Sequence, residues 1–196
     1  MEKELKKRKI NRLKNFDYSS CGAYFITICT FNRRNIFWSG KNSDIDFNGG
    51  KTVGTGIARP QRKKGTANAG IVAETTIALP RNIELSRCGI IVNDAIQSIP
   101  SAYPVLSLDG YVIMPNHIHL LLQVCSDENG RPMVAPTISR IINQFKGIVS
   151  KKAGIGVWQK SFYDHVIRNY EDYIEHQKYI CENPMRWLED ELYIEP

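Results

Sequence analysis

His117 and His119 flank a single isoleucine at the head of the run HIHLLLQV. Alternation along a strand puts both imidazoles on one face and Ile118, Leu120 and Leu122 on the other. Two same-face imidazoles can share one divalent cation, with a third ligand drawn from elsewhere in the chain. The pair also fits partly exposed sheet histidines that bind nothing. Against that, two of the chain's four histidines fall within three positions and a stiff apolar run holds them. Near the C-terminus, Tyr179 and Asn183 stand four residues apart, so they neighbour each other on one helical face. An asparagine oxygen is a hard, neutral ligand suited to Mg²⁺ or Mn²⁺. A tyrosine one turn away can bring its phenol oxygen to a phosphate held at that metal. With an ordinary pKa of about 10 it is a weak nucleophile unless the phosphorus is polarised. Taken alone, Tyr179 also reads as an amphipathic residue at the edge of a core. Tyr163, Tyr170 and Tyr173 compete with it by chemistry, but only Tyr179 has Asn183 one turn on.

These residues need elements to hold them. Residues 23–32, AYFITICTFN, alternate with Tyr24, Ile26 and Ile28 on one face and read as a strand. From 39 to 80 glycine, threonine, asparagine and basic residues dominate, and the stretch reads as an insertion or mobile loop. The part VGTGIARPQRKKGTANAG has the texture of translated repeat DNA. Ile90, Ile91, Ala95 and Ile99 predict an amphipathic helix over about 84–99, ended by Pro100. The run YVIMPNHIHLLLQV splits at Pro115–Asn116 into two strands. A second helix opens at Pro136–Thr137, carries Ile138, Ile141, Ile142, Phe145, Ile148 and Val149 at 3–4 spacing, and stops at Gly154. SFYDHVI, 161–167, is a short strand, and Asn169 caps a third helix with acidic residues in its first turn. The order β-α-β-β-α-β predicts an α+β, ferredoxin-like (RRM-like) core with an antiparallel sheet, followed by a C-terminal helix carrying the tyrosine.

The 196 residues leave room for one domain, here expected over 1–196, with a basic N-terminal arm over 1–20 and the insertion at 39–80. Net charge is +6, which favours an anionic partner such as nucleic acid. Lys6, Lys7, Arg8, Lys9, Arg12 and Lys14 concentrate that charge in the arm, where they could track a phosphate backbone or simply be solvated. No apolar run reaches the roughly 18–20 residues of a membrane span, and the N-terminus lacks a secretory pattern, so the chain reads as cytoplasmic. Cys21, Cys29, Cys88, Cys125 and Cys181 are widely spaced, without a C-x-x-C pair, and read as reduced apolar residues.

The strings GYVIMPNHIHLLL, WQKSFYDHVIRN and YICENPMRW resemble the single-tyrosine HUH transposases of small prokaryotic insertion sequences, and in particular the branch called REP-associated tyrosine transposases. RLKNFDYSSCGAYFITICT is similar to the same branch, and only about 39–80 lacks a counterpart. The resemblance implies that His117 and His119 hold a divalent metal, Mg²⁺ or Mn²⁺, with Asn183 at the third ligand position. It implies that Tyr179 attacks single-stranded DNA to give a 5′-phosphotyrosine adduct and a free 3′-hydroxyl, without a nucleotide cofactor. The implied partner is hairpin-forming or palindromic repeat DNA in a prokaryotic nucleoid. The enzyme would be a monomer, or a homodimer that exchanges the tyrosine helix. Asp164, His165 and Arg168 match the family's strand-to-helix segment. Arg168 fits a phosphate contact, His165 fits either a structural or a DNA-contacting role, and Gln159 lies near them without an evident mechanism.

Two other readings use the same residues. A domesticated single-stranded nucleic-acid binder would keep the fold without cutting, though it would not need His117, His119, Tyr179 and Asn183 together. A metal-dependent hydrolase using the histidine pair and water would leave the Tyr179–Asn183 helix unexplained.

Overall fold

The computed structural model describes residues 21–39, 76–77, 84–124 and 137–194. The strand predicted around Tyr24 is β1, Gly22–Cys29. Tyr24, Ile26 and Ile28 are fully buried on one face, while Phe25, Thr27 and Cys29 occupy the other by the period of two. β1 ends three residues short of the expected Asn32, because Phe31–Arg33 curl into a tight turn in which Asn32 and Arg33 take positive φ. A short ribbon follows, β2 at Trp38–Ser39 paired antiparallel with β4 at Glu84–Leu85. Between them lies β3, Thr76–Ile77, which pairs in parallel with Gly110–Tyr111. Within the expected insertion over 39–80, Ser39 belongs to β2 and Thr76–Ile77 form β3; the rest of that stretch and the basic arm lie outside the described residues.

Helix α1 spans Arg87–Gln97. It starts three residues later than its periodicity suggests, because Glu84 and Leu85 are taken by the ribbon and the Ser86 side chain caps Gly89 N–H at 3.1 Å. Gly89 is required by packing, since a Cβ there would stand 2.1 Å from the Phe37 carbonyl oxygen. Pro100 does not end the helical stretch. It sits in the first turn of a further short helix, α2 at Ile99–Ala102, where its missing N–H is no loss.

β5, Leu106–Ile113, and β6, His117–Val124, form a hairpin around Pro115–Asn116. A bulge between Leu108 and Gly110 in β5 turns the Asp109 side chain into the protein. α3, Ile138–Ala153, buries Ile138, Ile141, Ile142, Phe145 and Val149 of its predicted apolar stripe but leaves Ile148 44% exposed, and it stops at Gly154 in the left-handed conformation (φ 72°). β7, Tyr163–Val166, and α4, Tyr170–Glu182, complete the chain, followed by a 3-10 segment over Asn183–Glu189.

The main sheet runs β3-β5-β6-β1-β7, and its four long members are antiparallel. Leaving out β3, the second, third, first and fourth strands of the core lie side by side, which is the ferredoxin-like order. α1 and α3 cover one face over the large core of Tyr24, Ile26, Ile118, Leu120, Leu122 and Phe145. α4 covers part of the other face over a much smaller cluster, Phe25, Val112, Met114, Leu121 and Ile180. No described helix is long and apolar enough to cross a membrane.

The small cluster alone would hold α4 weakly, and a polar anchor supplements it. Tyr173 on α4 donates its hydroxyl to Asp109 Oδ2 at 2.8 Å, and Ser107 Oγ donates to Oδ1 at 2.7 Å. Asp109 is 4% exposed, so removing one donor leaves a buried carboxylate oxygen unsatisfied. Tyr173→Phe is expected to lower the urea unfolding free energy by about 1–3 kcal/mol. Tyr170→Phe, at a side chain 72% exposed on the same helix, should stay within about 0.5 kcal/mol of the parent.

Candidate metal and tyrosine site

β6 places His117, His119 and Leu121 on the α4 side of the sheet and Ile118, Leu120 and Leu122 in the main core, as the alternation predicts. The histidines are not partly exposed. His117 is 0% and His119 3% accessible. Their Nε2 atoms face each other at 3.0 Å, and Asp190 Oδ2 lies 3.9 Å from His117 Nε2. Phe25 stacks on the His119 ring at 4.9 Å and stiffens the pair from the β1 side.

The hydrogen bonds around the pair decide where its protons sit. Asn116 Nδ2 donates to the Leu192 carbonyl at 2.8 Å, which turns its Oδ1 toward His117 Nδ1, also at 2.8 Å. His117 Nδ1 therefore carries hydrogen and its Nε2 is a lone pair. His119 Nδ1 meets the Thr27 hydroxyl at 2.8 Å, a group that can either donate or accept. When the hydroxyl donates, His119 Nε2–H can hydrogen-bond to His117. When it accepts, both Nε2 lone pairs point at one place, the arrangement a shared cation needs. A threonine rotor thus lets the pair exist with or without a cation and leave no buried group unpaired.

A second cluster of two histidines and an aspartate behaves differently. His165 Nε2 lies 2.9 Å from Asp172 Oδ2, and His176 Nδ1 lies 3.0 Å from Asp172 Oδ1 and 2.8 Å from the Asp172 carbonyl. Each of these nitrogens faces only acceptors, so each carries a proton and offers no lone pair to the centre of the group. The two rings stack at 4.7 Å. This network joins β7 to the first turns of α4. Burial works to raise the Asp172 pKa, but the hydrogen bonds from His165 and the Arg168 amide, and the charges of the two histidines, outweigh it and the pKa falls.

Tyr179 and His119 meet at a cleft of about 480 Å³, lined among others by Thr27, Arg33, His176 and Asp190, while His117 is buried and does not line it. The Tyr179 ring packs edge-on to His119 at 5.2 Å and to Phe25 at 5.9 Å, and the residue is 44% exposed. Burial first, then the Asp190 carboxylate, raises the Tyr179 pKa, against a lowering hydrogen bond from the Asn183 side chain. Asn183 is buried beside a smaller adjoining cleft that it shares with Tyr179 and Asp190, and its Oδ1 has no partner among the described residues.

Of the residues expected at the site, His117, His119 and Tyr179 come together, and Asn183 lies one helical turn from Tyr179. The oxygen ligand grouped with the two imidazoles is Asp190, its ligand atom within 4.8 Å of theirs. Asp190 stands in the acidic run LEDE just past the predicted helix. Its residue type was the only available signal, since no spacing rule links it to position 117. Tyr163 lines the same cleft, whereas Tyr170 is 72% exposed and Tyr173 is committed to Asp109. His165 is in the second cluster, and Arg168 is exposed, its amide bonded to Asp172. Asp164 has both carboxylate oxygens buried without a partner among the described residues. Gln159 meets β1 through its backbone, N–H to the Cys29 carbonyl at 3.0 Å. Lys6, Lys7, Arg8, Lys9, Arg12 and Lys14 lie outside the described residues.

No protein-family model matches the chain. It is 27% identical to an uncharacterised protein of Haemophilus influenzae, the alignment covering 96% of this chain and 94% of that protein. It is 29% identical over 82 residues to another protein of that bacterium, provisionally named a REP-associated tyrosine transposase, covering 38% of this chain and 47% of that one. Among solved structures it is similar to a REP-associated tyrosine transposase bound to a REP hairpin, with TM-score 0.49, 18% identity, and 84% of this chain and 67% of that chain covered. A provisionally assigned transposase of Deinococcus radiodurans gives TM-score 0.41 at 13% identity, with 88% and 96% covered. The fold assignment rests on the strand order described above.

Burying two neutral imidazoles has a pH signature. Burial, then the charge of Arg33, lowers the His117 pKa from 6.5 to about 3. Burial, then His117 itself, takes His119 well below 6.5. Above pH 6.5 the histidines are neutral in both states and native stability is complete. Below it the unfolded chain takes up protons that the folded chain refuses, so stability falls progressively, the His117 share of the loss being complete by about pH 3. In the presence of a chelator, the unfolding free energy should drop by more than about 1 kcal/mol between pH 7 and pH 5. His117→Gln should flatten that slope even though it lowers the plateau.

Proposed function

We propose that the chain is a metal-dependent single-stranded DNA nicking and strand-transfer enzyme of the transposase type. It acts on hairpin or palindromic repeats through a covalent 5′-phosphotyrosine on Tyr179. The observation that carries this reading is the convergence of His119, the Asp190 carboxylate and Tyr179 on one cleft, with the buried His117 Nε2 3.0 Å from His119 Nε2. The 82-residue similarity to a protein provisionally named a REP-associated tyrosine transposase supports it, as do the net charge of +6 and the motif order. A protein that only bound single strands would have no use for two buried imidazoles facing each other across 3.0 Å.

His117, His119 and Asp190 would hold the cation, and the unpartnered Asn183 Oδ1 is a further oxygen donor in the adjoining cleft. A donor set containing two imidazoles suits Mn²⁺ better than Mg²⁺, which prefers oxygen and water. When bound, a divalent cation supplies Lewis-acid polarisation of the phosphoryl oxygens. Asn116 and Thr27 fix the two rings so that their Nε2 edges converge. Tyr179 Oη forms the new bond to phosphorus as the P–O3′ bond breaks, and the phenolic proton is balanced by the proton taken up at the departing 3′ oxygen. One phosphodiester is exchanged for one phosphotyrosine ester, so a second 3′-hydroxyl can reverse the step with no nucleotide consumed. The Asn183 side chain opposes the rise in the phenol's pKa and would orient it. The same reading assigns backbone phosphate contacts to Arg168 and the basic arm.

Purified protein incubated with Mn²⁺ and a single-stranded oligonucleotide carrying a hairpin from the DNA flanking its gene is expected to form a denaturation-resistant protein–DNA adduct. Tyr179→Phe should abolish the adduct, and His117→Ala or excess chelator should reduce it about 100-fold or more. Adduct formed undiminished by Tyr179→Phe would overturn the nucleophile. Adduct formed at the parent rate by His117→Ala would overturn the metal site.

A further inference from the structure

The cleft that holds Tyr179 is poorly matched to an anionic substrate on charge alone. Glu175, Asp190 and Glu191 all line it, and among the described residues Arg33 is its one permanently charged cation. The other nearby arginines are already engaged. Arg34 donates to the Phe31 and Gly156 carbonyls at 3.2 and 3.1 Å, and Arg186, in the adjoining cleft, pairs with Glu189 at 3.1 Å. Among the described residues the Arg33 guanidinium makes no ion pair and no hydrogen bond.

The backbone beneath Arg33 is also unusual. Asn32 and Arg33 take φ of 56° and 53°, two consecutive left-handed residues, neither of them glycine. Asparagine tolerates that region, but an arginine there costs about 1 kcal/mol or more. The turn is held on all sides. Arg33 N–H bonds to the Thr30 carbonyl at 3.0 Å, Phe31 N–H to Val157 at 2.8 Å, and Thr30 Oγ1 to Arg34 at 2.9 Å. A tight turn that needs positive φ would ordinarily use glycine. This one carries a long cation and faces it into the cleft.

We infer that Arg33 is a phosphate-binding residue whose guanidinium takes the non-bridging oxygens of a single-stranded DNA phosphodiester lying against Tyr179. The inference rests on the proposed DNA reading and names the protein group that recognises the substrate there. A planar fork of donors suits two phosphoryl oxygens at once, which an ammonium does not match. The strained turn keeps that fork beside the imidazole pair and clear of Glu175 and Glu191, so no internal carboxylate has to be displaced before the substrate binds.

The position allows a test in which folding and function separate. Arg33→Gly removes the guanidinium and relaxes the left-handed backbone, so its melting temperature should equal or exceed the parent's. Binding of a fluorescent single-stranded 20-mer is then measured by anisotropy in chelator over a range of salt. Arg33→Gly and Arg33→Gln should each weaken binding about tenfold, Arg33→Lys less, and the two neutral variants should make the slope of log K against log salt shallower by about 0.7, the share of one phosphate. Unchanged affinity and slope in Arg33→Gly overturn the contact, and so does a melting temperature clearly below the parent's, which would make Arg33 structural. If the parent binds with the expected slope yet forms no covalent adduct with Mn²⁺, the nicking reading fails while the Arg33 contact stands. If the parent does not bind the oligonucleotide, both fail.

Discussion

Everything on the α4 side of the sheet is arranged around two imidazoles buried next to each other without charge. A pair of rings whose Nε2 atoms stand 3.0 Å apart cannot be doubly protonated in that setting, because desolvation and mutual repulsion act in the same direction. It cannot present two lone pairs face to face without a cation either. The way out is a chain of four polar groups, Thr27, His119, His117 and Asn116, that ends on the Leu192 carbonyl. Two of its links are fixed in direction by chemistry, and the turn of the threonine hydroxyl decides whether His119 donates to His117. The C-terminal segment is therefore part of the site twice over, supplying the carbonyl that orients Asn116 and the carboxylate of Asp190.

The two faces of the sheet divide the labour of stability and chemistry. Against α1 and α3 the sheet buries a continuous apolar core, each large side chain contributing about 1.5–3 kcal/mol. Between the sheet and α4 the buried apolar cluster has five residues, and the helix is held as much by polar links: Tyr173 to Asp109, and Asp172 to His165. Such links are directional where apolar contacts are not, so they set the rotation and height of the helix and with it the position of Tyr179. Elements secured this way also lie at the low end of a protein's range of local stability.

Much of this was legible in the sequence, for a definite physical reason. The period of two in HIHLLLQV requires both histidines to share a face whatever strand lies beside them, and the 3–4 spacing from Ile138 to Val149 likewise requires an amphipathic helix. Tyr179 and Asn183 are related by one helical turn, again a local rule. What escaped was non-local or depended on competition between elements. Asp190 reaches His117 across 73 positions, Thr27 meets His119 because of strand register, and Asn116 owes its orientation to Leu192. The start of α1 slipped because Glu84 and Leu85 were claimed by a ribbon whose other strand begins at Trp38. The end of β1 slipped because a turn with two positive φ values leaves no mark in residue type when neither is glycine.

The acidity of the cleft constrains how the proposed reaction can begin. Burial and Asp190 push the Tyr179 pKa up, so in the resting protein the phenol keeps its proton and Asn183 only partly offsets the effect. Glu175 and Glu191 add to a field that repels both a phosphate and the anionic oxygen that must attack it. A cation at His117, His119 and Asp190 would reverse that field in two ways, by adding charge and by engaging the carboxylate that most raises the tyrosine's pKa. Nucleophile activation and substrate binding would then share one cause. On the proposed reading such a cleft would keep Tyr179, 44% exposed, quiet toward solvent and toward stray phosphodiesters until the positive groups are in place. On this argument the carboxylates that make the site look unsuited to DNA are what would make its reactivity conditional.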